Sequence, residues 1–323
     1  MNEFPRTTVG GVSLPRMLMG TNWMLGWSHT SASADEMIRR RYQSVEAFKP
    51  VLDAYLRHGV DAIMAPFDGP SQHLLEAIRD TEQKLGRRII LIDTPTINVD
   101  DNPQARQEAQ AKIQESARRG ATFCLLHHSC AEQLVDKNKG VIRRLDDYTK
   151  MIRDAGMIPG LSAHMPELIV YSDQNGYDVE TYIQIFNCMG FLMQVEIETV
   201  ASIIHHAKKP VMTIKSMAAG RCTPYVGLTF SWNAIRPQDM VTLSPWAPSL
   251  PRRWRRTWRF PWRPSSTASP TWRSAPAPTR TRQPLAEKLD RQREELWLLP
   301  FLVFTPPGGY PKRPGYRFRP PCR

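Results

Sequence analysis

Short apolar segments alternate with longer segments of helical period along the first 245 residues, and that alternation restricts the fold to repeated β/α units around a parallel sheet. Eight strand candidates follow: residues 15–20 (PRMLMG), 60–67 (VDAIMAPF), 88–94 (RIILIDT), 121–128 (ATFCLLHH), 158–164 (IPGLSAH), 182–187 (YIQIFN), 210–216 (PVMTIKS) and 239–243 (DMVTL). Several are continuous apolar runs, as strands covered on both faces require. Between them, residues 45–59 place Val45, Phe48, Val51, Leu52 and Leu56 on one helical stripe and close on Gly59. Residues 74–86 repeat the device, with Leu74, Ile78 and Leu85 inward and Gly86 at the end. Eight such units in roughly 250 residues make a closed TIM (β/α)8 barrel, whose reactive groups stand at the C-terminal strand ends.

Charge divides the chain at the same point. The 323 residues carry a net +12, yet 17 Lys and Arg against 4 Asp and Glu lie beyond residue 245. Residues 1–245 are therefore a nearly neutral barrel domain. Residues 246–323 form a Pro/Arg/Trp-rich tail whose composition predicts irregular or disordered chain. Cys124, Cys130, Cys188, Cys222 and Cys322 make an odd set without C-x-x-C pairing, which points to reduced thiols. No apolar run reaches the length of a membrane span, and no secretory signal opens the chain. The expectation is a cytoplasmic protein with no membrane partner.

Read literally, residues 251–263 (PRRWRRTWRFPWR) offer charge and stacking to nucleic acid, and a non-enzymatic nucleic-acid-binding protein is one alternative. The genetic code explains the stretch better. Joining each codon's third base to the next codon's first two turns Trp-Arg steps into Glu or Ala codons. Residues 246–263 then permit Gly-Ala-Leu-Thr-Pro-Glu-Glu-Val-Glu-Glu-Asp-Val-Glu-Ile-Ser-Leu-Glu, a helix start with a Thr cap, Pro at the first position and an acidic first turn. A one- or two-base change between Thr242 and Trp246 is expected to have moved the frame. The eighth unit is then truncated after its strand, nucleic acid is not the expected partner, and the chain as written is expected to be inactive.

The segments TTVGGVSLPRMLMGTN, GVDAIMAPFDGPSQHLLEAI, LLHHS, RDAGMIPGLSAHMPELI, YIQIFN and KKPVMTIKSMAAGR together resemble the aldo-keto reductase barrels over roughly residues 5–245. The resemblance implies an oxidoreductase with NADPH as cofactor. It also implies an Asp and a Tyr after the second strand, a Lys ending the third and a His ending the fourth. Here Met64 or a neighbour replaces the acid, Phe67 replaces the phenol, and Asp93 and Thr94 stand where the Lys belongs; His127 matches. Phe67 has no proton to give a carbonyl as hydride arrives.

The strand ends supply another set. His127, His164, Lys215 and Asp93 are the catalytic candidates, and Asn22, Trp23, Asp68, His128, Asn187 and Arg221 the substrate-binding ones, for a small polar metabolite. His127, His164 and Asp93 (or Asp68) would make an N,N,O set for a divalent metal. In the plainer alternative, one of His127 and His128 faces the helices. Lys215 ends an apolar strand, where desolvation suits an amine to imine or anion-binding roles, unless Asp93 or Glu196 pairs with it. Asn22 and Trp23 line the pocket floor or plug the barrel. A metal- or Lys-dependent lyase or isomerase is thus the alternative to a reductase.

Overall fold

The computed structural model describes residues 4–244. The expected tail (246–323), the missing eighth helix and the shifted frame lie outside the described residues.

An antiparallel hairpin, β1 (Arg6–Val9) and β2 (Val12–Pro15), precedes the barrel. Then come β3 (Met17–Gly20), β4 (Ala62–Ala65), β5 (Ile90–Asp93) and β6 (Phe123–Leu126). A small second hairpin, β7 (Val135–Asp136) with β8 (Val141–Ile142), interrupts the alternation and has no apolar signature that announces it. The series resumes with β9 (Ile158–Ala163), β10 (Tyr182–Ile185), β11 (Val211–Ile214) and β12 (Met240–Leu243). Strands β3, β4, β5, β6, β9, β10, β11 and β12 close a parallel barrel, β12 returning to β3 with Thr242 opposite Leu18 and Leu243 opposite Met19. Each barrel strand lies inside the segment read from the sequence, shorter by up to two residues at an end.

Helices cover the outside: α1 (Asn22–Leu25), α2 (Ala32–Arg41), α3 (Val45–Leu56), α4 (Gln72–Leu85), α5 (Pro103–Arg119), α6 (His128–Ala131), α7 (Leu145–Asp154), α8 (Glu167–Asn175), α9 (Ile197–His206) and α10 (Pro224–Ala234). Their ends follow local chemistry. Asn102 caps α5 by accepting the Ala105 N–H at 2.9 Å, with Pro103 at the first position, and Gly86 ends α4 in the left-handed region that a side chain resists. Among the described residues, no helix is long and apolar enough to cross a membrane.

The period-two alternation of each strand sorts its side chains into two cores. Leu18, Ala62, Met64, Ile92, Phe123, Leu125, Ile183, Met212 and Met240 fill the barrel, joined by Val9 and Leu14 of the hairpin at its N-terminal end. The intervening residues, among them Ile63, Leu91, Cys124 and Leu126, pack between sheet and helices. Both layers are sealed from water, so the chemistry is confined to the opposite, C-terminal mouth.

Candidate functional site

The mouth holds a cavity of about 620 Å³ whose walls include Asn22, Trp23, Asp68, His127, His128 and His164. Lys215, Ser216, Arg221 and Thr242 complete it on the side of β11 and β12, and His29 reaches in from the loop before α2.

Strand parity explains which candidates arrive. Met212 belongs to the barrel interior, so an uninterrupted strand would turn Lys215 outward. Instead Lys215 takes φ +62° and its side chain lines the mouth. Asp93 has no such turn. It follows Leu91 to the helix side, is fully buried, accepts the Phe67 N–H at 3.1 Å and stands 3.9 Å from Arg119 of α5. Its carboxyl is pushed above the usual range, burial outweighing the Ser116, Phe67 and Arg119 interactions. Asp93 therefore lies outside the mouth, held in buried contacts on the helix side, contrary to the expectation that it stands at the site. The metal alternative loses Asp93 with it, although Asp68 lines the mouth. Among the described residues, no group of three or more His, Cys, Asp or Glu is placed to hold a metal ion.

Asn187 is the second correction. Its side chain accepts the N–H groups of Met189 (3.1 Å) and Phe191 (2.9 Å) and donates to the Phe191 carbonyl (3.0 Å). It shapes its own loop and stays out of the mouth. That loop still contributes indirectly, because Phe191 lies 3.9 Å beneath the Arg221 guanidinium.

The imidazoles form one array. His127 and His128 both line the mouth, neither facing only the helices, with ring centroids 4.2 Å apart. His128 in turn stacks on His164 at 3.8 Å. Burial is the main cause that drives His127 down to about 4 and His164 to about 3, with neighbouring imidazoles and Lys215 adding to it. His128 is lowered for the same reason. All three rings are neutral at pH 7. The cap of α6 also fixes a tautomer: His127 Nδ1 accepts the Ser129 N–H at 3.4 Å and touches Ser129 Oγ at 2.7 Å, so the ring proton resides on Nε2.

Lys215 completes the array. Its Nζ lies 2.8 Å from His29 Nε2, which also meets Asn22 Nδ2 at 3.1 Å. Burial alone lowers its amine to about 8. Neither Asp93 nor Glu196 pairs with it, and among the described residues no carboxylate forms a salt bridge with Lys215 or Arg221. The buried hydroxyls of Ser216 and Thr242 have no hydrogen-bond partner. His29 is the residue that strand-end reasoning misses. It lies in the first β/α loop, past α1, where distance from the strand end hides a side chain that folds back over the mouth.

The fold and mouth thus define a TIM barrel with a cationic, imidazole-lined pocket. No protein-family profile and no curated protein matches the chain. The chain is similar to several solved structures. A glycerol dehydrogenase from Gluconobacter oxydans is 14% identical with a TM-score of 0.46, over 68% of this chain and 65% of its own. An aldo-keto reductase from Bacillus halodurans is 11% identical with a TM-score of 0.46, over 68% of each chain. An N-acetylmannosamine-6-phosphate 2-epimerase from Clostridium perfringens is 14% identical with a TM-score of 0.39, over 63% of this chain and 80% of its own.

Proposed function

We propose that the barrel of this chain is that of a lyase or isomerase that forms an imine between the Lys215 amine and a small, anionic carbonyl compound, the altered eighth unit impairing turnover and not imine formation. The observation that carries the reading is Lys215 itself: a half-buried amine lowered to about 8, in a cavity of small-molecule size, with no salt bridge to a carboxylate among the described residues. A fraction of that amine is neutral at physiological pH, which an exposed lysine with its ordinary value of 10.5 does not offer.

The chemistry follows from the groups around it. The amine nitrogen adds to the carbonyl carbon, the C=O pair moves to oxygen, and loss of water leaves a protonated imine that draws electrons from the adjacent carbon. A C–C or C–H bond at that carbon then breaks heterolytically. His127, whose proton resides on Nε2, and Asp68 supply a donor and an acceptor at the same mouth. Arg221, which has no carboxylate partner among the described residues, favours a substrate with a carboxylate or phosphate.

The oxidoreductase reading keeps the barrel and His127 but lacks its proton donor. The Phe67 ring is buried among helix-facing residues, and Asp93 rather than a lysine ends β5. These residues do not fit nicotinamide-dependent carbonyl reduction, and no step here passes through NADPH.

The test is reductive trapping on the full-length chain, since every group invoked lies between residues 22 and 242. Borohydride added with pyruvate, glyoxylate or dihydroxyacetone phosphate is expected to label the wild-type protein covalently and to leave K215R unlabelled. Equal labelling of both would sink the proposal.

A further inference from the structure

Two hydrogen-bond donors converge on one nitrogen at the mouth. Asn22 Nδ2 carries only donors, and the Lys215 ammonium carries only donors; both point at His29 Nε2, at 3.1 and 2.8 Å. That nitrogen is therefore the acceptor, and the ring proton sits on Nδ1. The position is built by the local sequence. His29 holds φ +57°, and its neighbours fix the turn: the Ser28 N–H donates to Asp35 at 2.6 Å, the Thr30 N–H to Ser28 Oγ at 3.1 Å, and Ser31 caps α2 through the Ala34 N–H at 3.2 Å. The Nε2 lone pair, shared with the Asn22 amide, is thus turned toward Nζ by this loop.

Resting on the Lys215 reading above, we infer that His29 is the proton acceptor for Lys215, taking at Nε2 the proton that Nζ sheds when the amine adds to a carbonyl. The balance closes. Addition makes the C–N bond and leaves a positive nitrogen and a negative oxygen. Nζ passes one proton to His29 Nε2 while the oxygen takes one from solvent at the open mouth, the proton whose charge the finished imine carries. The imidazolium then returns its proton to that hydroxyl, water leaves, and the nitrogen pair forms the C=N bond. His29 ends as it began.

The charged surroundings suit a transient carrier. Burial, Lys215 and Arg221 lower His29, while Asp35 of α2 opposes them; His128 of α6 and His164 beyond β9 face it as neutral rings. A ring that stayed charged would repel Lys215 and lose both donors.

Two measurements test this. Long-range nitrogen–proton NMR on the wild-type chain is expected to show His29 protonated on Nδ1 and bare on Nε2; a proton on Nε2 overturns the assignment, whatever the fate of the imine. The pH profile of borohydride trapping supplies the second, with H29Q keeping an acceptor oxygen that cannot carry a proton. Wild type is expected to lose trapping rate with a slope of about one below the Lys215 midpoint, steepening to about two once His29 charges. H29Q is expected to plateau at least about tenfold lower without the steepening. Trapping in wild type with an unchanged H29Q profile overturns the role of His29 alone, whereas no trapping in wild type overturns the Lys215 reading and this one with it.

Discussion

Lys215 Nζ and His29 Nε2 meet at 2.8 Å although 186 residues separate them in the chain. The contact joins the first β/α loop to the end of the seventh barrel strand. It leaves a half-buried amine beside a neutral ring with no salt bridge to a carboxylate among the described residues, an arrangement that costs stability.

That cost is measurable. K215M is expected to abolish trapping and to stabilise the protein at pH 7 by about 1–3 kcal/mol in chemical denaturation. The folded-state value is depressed to about 8 from 10.5, so the unfolded chain holds the extra proton between those values and wild-type stability rises with pH there. The advantage of K215M should therefore shrink as pH climbs through that window. An advantage constant in pH would contradict the buried-amine account.

The histidine array predicts the acid limb. His127 and His164 fall from 6.5 to about 4 and about 3 in the folded state, so below 6.5 the unfolded chain takes protons that the folded one refuses. Stability should decline from pH 6.5 downward until the folded rings charge. Both rings are half-buried, so the slope is the prediction and its size is screened. H164N is expected to flatten it; an identical slope would remove His164 as its source.

Asp93 and Lys215 should separate cleanly in a mutational experiment. D93A strips the Phe67 N–H of its acceptor and leaves Arg119 without its buried partner, at an expected cost of about 2–4 kcal/mol in urea unfolding. The trapped-imine rate of the folded fraction should stay at the wild-type level. A rate loss beyond the loss of folded protein would return Asp93 to the site.

Restoring the reading frame between Thr242 and Trp246 is expected to raise soluble yield and thermal midpoint, because the permitted segment supplies an acidic helix where a (β/α)8 barrel needs its last one. Sequencing codons 240–285 from independent isolates checks the premise. One shared, intact frame would remove it.

How far the sequence went depended on the range of the physics. Continuous apolar runs such as Phe123–Leu126 and the stripe of Val51, Leu52 and Leu56 are local patterns, and they yielded the barrel strand by strand. His127, His128 and His164 could be placed at the mouth because barrels aim strand ends there, whereas Lys215 reaches it only through its left-handed turn. Asp93 was misread because a strand end has two faces, and its place beside Leu91 sends it to the helices. Asn187 was misread because a side chain that closes its own loop looks the same in one dimension as one that awaits a ligand. His29 escaped because only a left-handed turn brings it back over the pocket.

The most direct measurement is the site of the borohydride-trapped adduct, read by peptide mass mapping after incubation with pyruvate at a pH near the Lys215 midpoint of about 8. The account predicts a single modified peptide carrying Lys215, lost in K215R and slowed in H29Q. Adducts scattered over exposed residues such as Lys84 and Lys139, with Lys215 unmodified, would contradict it.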